Sequence, residues 1–428
     1  MALKNLVAVI GTTGVGKSKL SVALAKALDG EIINADAMQT YAGVPILTNK
    51  HPEAEREGVP HHLLGHIPDV TAEYTVPQFE REASACVDEI CGRGKVPIVV
   101  GGTHYYVQSL LLGSTVAGAA AVVPSREVSA ADAAVLDGDT RALWERLQAV
   151  DPAIAQKFHP RDHRKLRRAL EIYLTTGTRA SDLYAAQAAA SADSVRYRAL
   201  VLWVWSEQGA LDGRLDARVD AMDRGGLGPE VAGLHAEYVA AGEPPLDRGL
   251  WQAIGFKEFL PFLASGDAQT RAACVDDMKR ATRRYARTQT KWIRKKLLVA
   301  AAAAPADLRP QTALLDATDL AAWDERVAAR AVGLARRFLA GETLGPADLA
   351  PDAAAAALLA PARDADLSRR PDDWQHFACA QCAVDGEPFV CVGAELWKQH
   401  LTSRRHRLAV KRERGRAQHA AWLARQAE

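Results

Sequence analysis

Leu6-Val-Ala-Val-Ile10 runs straight into Gly11-Thr12-Thr13-Gly14-Val15-Gly16-Lys17-Ser18, and this stretch decides the fold. A short unbroken apolar run is what a strand buried on both faces looks like. Beyond Ser18, apolar residues recur at helical spacing: Leu20, Ala23, Leu24, Ala27, Leu28. The order is therefore strand, glycine loop, helix. In that context Gly11-x4-Gly16-Lys17-Ser18 is a phosphate loop. Its backbone N–H groups face phosphate oxygens and the helix adds its positive end. Lys17 supplies a charge, and Ser18 supplies a hydroxyl for Mg²⁺. Such a loop reads phosphates and not what they are attached to. ATP is the default occupant; a diphosphate ester fits the same cradle.

Further strands follow outward from this point. Glu31-Ile-Ile-Asn34 is read as a second strand leading to Asp36, and Val96-Pro-Ile-Val-Val100 as a third leading to Gly101-Gly102-Thr103. Phe79 to Ile90 has a helical pattern. Strands alternating with helices predict a parallel sheet with helices on both faces and ligands at the carboxyl ends of the strands. The expected fold is an α/β, P-loop NTPase-like parallel sheet core. Residues 1–115 form its first part and 116–195 a helical insertion domain. Residues 196–340 return to the core with a strand at Arg198–Trp205, further helices and a last strand near Thr312–Asp316. Residues 341–373 are read as a linker, and 374–416 as a Cys₂His₂ zinc finger with a basic helix.

The three loops should converge on one cleft. Asp36, at a strand end beside phosphate, can be a magnesium ligand, a general base or a helix N-cap. Gln39 can pair with an adenine edge. Thr103 can donate to a phosphate oxygen or cap the next helix. His61, His62 and His66 lack the acidic or cysteine company that a metal site needs and are read as structural or groove-lining.

Composition bounds the rest. The chain has 428 residues, 48% hydrophobic and 25% charged, as in a soluble multidomain enzyme. Net charge is only +1, so a nucleic-acid partner must be argued from local clusters. One runs from Lys157 through Arg161, Arg164, Lys165, Arg167 and Arg168; the other from Lys279 to Lys296. Each can hold an RNA backbone, the second also a diphosphate, or each can be a solvated face. Six cysteines suggest no disulfide scaffold. Cys379-x2-Cys382-x17-His400-x5-His406 has the order and ligand types of a structural zinc site. No apolar run is long enough to cross a bilayer, and no secretory signal is evident.

Together these segments resemble the tRNA dimethylallyltransferases, or tRNA isopentenyltransferases, of the eukaryotic type with a C-terminal finger. The resemblance rests on Gly11–Ser18, Asn34-Ala-Asp-Ala-Met-Gln-Thr-Tyr41, Thr48-Asn-Lys50 and Val59-Pro-His-His-Leu63. It extends through Gly101-Gly-Thr-His-Tyr-Tyr106, the 159–170 segment, Gln252-Ala-Ile-Gly-Phe-Lys-Glu258, the Tyr285–Trp292 segment and the finger. It implies transfer of a five-carbon group from dimethylallyl diphosphate to the N6 amine of the adenosine 3′ of the anticodon. Asp36 would be the base. Gly11, Thr12, Thr13, Gly14, Val15, Gly16, Lys17, Ser18 and Arg287 would hold diphosphate with Mg²⁺, and Lys17 and Thr103 would stabilise its departure. Asp36, Ala37, Met38, Gln39 and Thr103 would meet the target base, while Arg161, Arg164, Lys165 and Arg168 grip the anticodon stem. Cys379, Cys382, His400 and His406 would bind zinc. Two positions depart from the family pattern: Thr288 replaces an arginine thought to contact diphosphate, with Arg287 or Arg284 as stand-ins, and Ala37 replaces a serine. The scattered cysteines and the lack of a secretory signal lead us to expect a cytoplasmic protein, a mitochondrial or nuclear pool being open, and the expected state is a monomer. A small-molecule kinase and a non-catalytic RNA-binding module are the alternatives.

Overall fold

Alternation in the first strand, β1 (Lys4–Gly11), sorts its side chains onto two faces. Val7 and Val9 enter one core and Leu6, Ala8 and Ile10 the other, all fully buried. In this computed structural model, which describes residues 3–113, 128–190, 195–362, 374–384 and 387–426, β1 is central to a six-stranded parallel sheet. The others are β2 (Gly30–Asn34), β3 (His61–His62), β4 (Val96–Val100), β5 (Tyr197–Trp205) and β6 (Gln311–Asp316). Their order is β3-β2-β4-β1-β5-β6. Val9 pairs with Val100 of β4 and with Leu202 of β5, so the ends of these strands lie side by side.

Helix α1 (Lys17–Leu28) leaves the glycine loop, with Gly16 at its N-cap at φ 86°. Helix α2 (Val76–Gly92) begins at a capping box, in which Thr75 Oγ1 accepts from the Gln78 N–H and Gln78 Oε1 accepts from the Thr75 N–H. Helix α3 (His104–Leu112) follows β4 directly. Helices α4 (Gln208–Arg224) and α5 (Ala268–Trp292) lie against one another.

The chain divides into two compact units. One comprises residues 1–117 and 190–363, the other 118–189 and 364–428. The first holds the sheet. Two features of it differ from expectation. His61–His62 pairs as a short edge strand on β2. The stretch read as a linker is packed as far as Leu359: Leu344 and Ala355 are buried, and Arg337 makes paired bonds to Asp348. Alanine-rich segments look like linkers by composition, yet small apolar side chains also suit close packing on a sheet. The rest of that stretch, 363–373, lies outside the described residues.

In the second unit, helices Thr140–Val150, Pro152–Lys157 and His163–Thr176 bury Leu143, Leu147, Ile154, Leu166 and Leu170. Asp151, 1% exposed, accepts from the backbone N–H groups of Ile154 and Ser181 and so joins two helices. Against them packs the C-terminal segment, with β7 (His376–Val384) antiparallel to β8 (Glu387–Val392) and helices Ala394–Thr402 and Arg404–Gln426. His159 Nε2 meets Val390 O at 3.0 Å and His376 Nε2 meets Gln156 O at 2.9 Å. Insertion and finger, which the sequence reading kept apart, thus share one body.

Candidate active site

The glycine loop forms the floor of a cavity of about 720 Å³. Thr13, Gly14, Gly16, Lys17 and Ser18 line it, whereas Gly11, Thr12 and Val15 are buried behind the loop. A Cβ at Gly11 would sit 2.2 Å from the Val204 carbonyl oxygen, so only glycine lets β1 turn there. Lys17 Nζ donates to Thr12 O at 2.7 Å, which folds its side chain back over the loop. Burial lowers the Lys17 pKa to about 8, with Asp36 opposing the fall and Arg218 adding to it.

Asp36 faces the loop from the end of β2. Burial raises its pKa, against the pull of Lys17 and of the backbone N–H groups of Met38, Gln39 and Gly102. Asp36 Oδ1 accepts from the Met38 N–H at 3.1 Å, so the carboxylate does cap a short turn while facing the cleft. Thr103 does not cap its own helix; its Oγ1 accepts from the Ala37 N–H at 2.9 Å and ties the β4 loop to the β2 loop. Gln39 Nε2 donates to the carbonyls of Thr48 and Asn49, so the group it offers the cleft is Oε1, an acceptor.

A second cavity, of about 430 Å³, adjoins the first. Both share Thr13, Asp36, Gln39, Asn49, Arg218 and Met222. Ala37, Met38, Thr103, Ile254, Met278 and Tyr285 give the second chamber a largely apolar wall with a few hydroxyls. Asp36 and Arg218 therefore stand at the junction of a phosphate cradle and an apolar chamber.

Three side chains completing this site carried no assignment in the sequence. Gln289, 3% exposed, accepts from the Thr13 N–H through Oε1 at 2.9 Å and donates through Nε2 to Gly102 O at 3.0 Å. One amide thus clamps two loops, and its orientation follows from the donor and acceptor it meets. It lay within the quoted Tyr285–Trp292 segment, but nothing local distinguished it. Arg218 donates to Thr13 Oγ1 at 2.8 Å, and burial lowers its pKa to about 10. Its only sequence trace was an arginine in an ordinary amphipathic helix. His104 is buried beside β1 and its Nε2 accepts from the Gly11 N–H at 3.3 Å. Burial, then the Lys17 charge, hold its pKa down at about 3, so the ring is neutral.

The expected stand-in Arg287 is not brought to this cleft. It binds Asp212 at 2.7 Å on the outer side of α5, and Arg284 and Thr288 are likewise exposed. A helix turn separates its faces, and Gln289 holds the inward one. His61 binds the Val59 carbonyl, while His62 and His66 pair with Glu31 and Glu82.

In the second unit, Arg161 donates to Pro388 O, Lys165 pairs with Asp162, and Arg168 with Glu171, while Arg164 is exposed. The ligand atoms of Cys379, Cys382, His400 and His406 all lie within 4.8 Å of one another. The two sulfurs lie 3.4 and 3.6 Å from His406 Nδ1. A tetrahedron with metal–sulfur bonds of about 2.3 Å and metal–nitrogen bonds of about 2.0 Å has such edges, at roughly 3.5 Å. His400 Nε2 is buried without a hydrogen-bond partner, as a ligand atom would be. These four residues can hold a metal ion; Cys391, buried nearby, is outside the group.

A parallel sheet, a phosphate loop and a carboxylate at the junction of two chambers define a phosphate-binding α/β enzyme of the P-loop class. Residues 39–296 match the family model of IPP transferase. The tRNA dimethylallyltransferase of Saccharomyces cerevisiae is 38% identical over 98% of this chain and 95% of its own length. That of Schizosaccharomyces pombe is 39% identical over 97% of each. A solved eukaryotic dimethylallyltransferase acting on tRNA matches with a TM-score of 0.81 at 38% identity, over 98% of this chain and 99% of that one. The chain belongs to the IPP transferase family, among the tRNA dimethylallyltransferases.

Proposed function

We propose that this protein transfers a dimethylallyl group from dimethylallyl diphosphate to the N6 amine of the adenosine 3′-adjacent to the anticodon in tRNA, releasing diphosphate. The observation that carries this reading is the position of Asp36 between the phosphate cradle and the apolar chamber. An adenine amine is a weak nucleophile, its lone pair being delocalised into the ring. A carboxylate taking its proton as the N–C bond forms accelerates attack by roughly 10²–10⁴-fold. The raised pKa of Asp36 makes it a stronger base than an exposed carboxylate. Gln39 Oε1 can accept the second N6 hydrogen.

The C–O bond to diphosphate breaks as the new bond forms, and negative charge grows on the leaving oxygens. The loop N–H groups, Lys17 and Arg218 are arranged to meet that charge. Arg218 supplies the guanidinium missing at Thr288. The Ser18 hydroxyl and the phosphate oxygens form an all-oxygen donor set that suits Mg²⁺, which would supply further charge neutralisation. Thr103, engaged with Ala37, can still donate its hydroxyl hydrogen toward the leaving group. The target base is stacked in its loop and must flip out to reach Asp36. The basic face at Arg161, Arg164, Lys165 and Arg168 suits the anticodon stem, and zinc suits the finger's ligand set. The test is to incubate the protein with Mg²⁺ and either dimethylallyl diphosphate or ATP, with and without tRNA. Diphosphate should appear only with dimethylallyl diphosphate and tRNA together, with the added mass on one adenosine. RNA-independent ATP turnover would overturn the reading.

A further inference from the structure

Residues 44–50 form a single helical turn in the wall of both chambers. Val44 is its N-cap and Pro45 its first residue; the Val44 carbonyl accepts from the Thr48 N–H at 3.1 Å. The turn ends in a Schellman motif. The Lys50 N–H donates to Pro45 O at 2.9 Å and the Asn49 N–H to Ile46 O at 3.0 Å, with Asn49 left-handed at φ 49°. These bonds consume the carbonyls of Val44, Pro45 and Ile46. Those of Thr48 and Asn49 are left to accept from Gln39 Nε2, at 3.2 and 3.1 Å. Both amide hydrogens of Gln39 have an acceptor there, and this turns its Oε1 toward the cleft.

The start of the turn cannot hold itself. An N-cap side chain normally accepts from the N–H groups two and three residues on. Val44 has no oxygen to offer, and its φ of 37° is costly for a β-branched residue. Such a backbone persists only where its surroundings over-determine it. The missing acceptor comes from far along the chain. Glu230, in the first turn of helix Leu227–Ala240, accepts from the Ile46 N–H through Oε2 at 3.0 Å and from the Leu47 N–H through Oε1. A carboxylate makes stronger bonds to backbone N–H groups than a neutral cap does. On the other side Lys50 Nζ donates to Tyr41 O at 2.6 Å and Gly43 O at 2.7 Å, which ties the end of the turn back to the segment before it.

We infer that Glu230 is a positioning residue for the transfer reaction: through the turn at 44–50 it fixes the Gln39 amide with its acceptor toward the N6 amine. This inference rests on the proposed activity and gives Glu230 and the Thr48-Asn49-Lys50 segment a part in it. As the N–C bond forms, N6 gains positive charge, so Oε1 binds its second hydrogen more strongly than in the ground state. A turned amide would set its own N–H against that hydrogen. The effect of Glu230 therefore falls on kcat and not on the binding of either substrate.

The test is a cycle of variants in the full chain. Glu230→Ala, and Glu230→Gln, whose amide sets its own N–H against one of the two it should accept, should each lower kcat roughly five- to tenfold. Binding of an anticodon stem-loop RNA, followed by fluorescence anisotropy, and of inorganic pyrophosphate, followed by calorimetry, should stay at the wild-type level. In Gln39→Ala protein, already slow, adding Glu230→Ala should cost nothing further. An equal loss in both backgrounds would overturn the proposal, because Glu230 would then act otherwise than through Gln39. Wild-type kcat in both Glu230 variants would overturn it too, and so would a parallel fall in pyrophosphate affinity, since the damage would be general. Amide hydrogen exchange needs no turnover: it should quicken in residues 44–50 of Glu230→Ala, and exchange as slow as in the wild type would show that Glu230 does not hold the turn. Wild-type protein that binds the RNA but transfers no dimethylallyl group would instead defeat the proposed reaction, with the exchange result still deciding whether Glu230 holds the turn.

Discussion

In the proposed reaction two residues carry the chemistry, through the way burial acts on opposite charges. Burial lifts the Asp36 pKa and lowers that of Lys17 to about 8, because each loses solvation of its charged form. Asp36 works as a base only when ionised, so transfer should fall as pH drops through a value above the ordinary carboxylate range. Lys17 works only when protonated, so kcat/KM for dimethylallyl diphosphate should fall as pH rises through about 8. A bound diphosphate favours charged Lys17, so the alkaline limb of kcat should lie higher than that of kcat/KM. Lys17→Arg should move the alkaline limb of kcat/KM upward, and a limb that stays in place would assign it to another group. Asp36→Ala should lower transfer by roughly 10²–10⁴-fold while leaving RNA binding intact in the anisotropy assay. Unchanged turnover in that variant would remove Asp36 as the base.

At the scale of elements, the cleft is held together by bonds between segments distant in sequence. Helix α5 reaches Thr13 and Gly102 through the single amide of Gln289, and helix α4 reaches Thr13 through Arg218. Gln289→Ala leaves the half-buried Thr13 N–H and the buried Gly102 carbonyl unpaired, at up to about 1–3 kcal/mol. Thermal unfolding should shift to lower temperature, and pyrophosphate affinity measured by calorimetry should drop because the loop is no longer pre-shaped. A variant with wild-type pyrophosphate affinity would show that the loop holds its form without the clamp. Gly101 is a similar case: a Cβ there would lie 2.1 Å from the Ala35 carbonyl oxygen, so the β2 and β4 loops approach only because glycine is present.

For the molecule as a whole, the joining of finger and helical insertion has a consequence for metal dependence. Segment 156–161 is bonded to β8 and to His376 through His159, Arg161 and the Gln156 carbonyl. A segment this small, with Cys379, Cys382, His400 and His406 able to hold a metal ion, would depend on that ion to fold. Chelation should therefore speed amide hydrogen exchange in residues 152–163 and weaken stem-loop RNA binding. Pyrophosphate binding by the sheet-bearing unit should survive. Exchange in 152–163 that ignores the chelator would show that the insertion stands without the finger.

Local pattern alone determined the parallel sheet, the phosphate loop, the strand-end placement of Asp36 and Thr103, and the four clustered Cys and His residues able to hold a metal. Each is a short-range signal, because strand periodicity, a glycine loop and Cys/His spacing are written within a few residues. Tertiary structure alone decided the rest. Gln289 and Arg218 stand at the cleft because α5 and α4 bring them within hydrogen-bond reach of Thr13 and, for Gln289, Gly102. Arg287 left the cleft because α5 turns that face outward toward Asp212. The finger joined the insertion, more than 200 residues earlier, through backbone carbonyls that no spacing rule encodes. Side-chain type is local information; which groups share a dry cavity depends on packing across the whole chain.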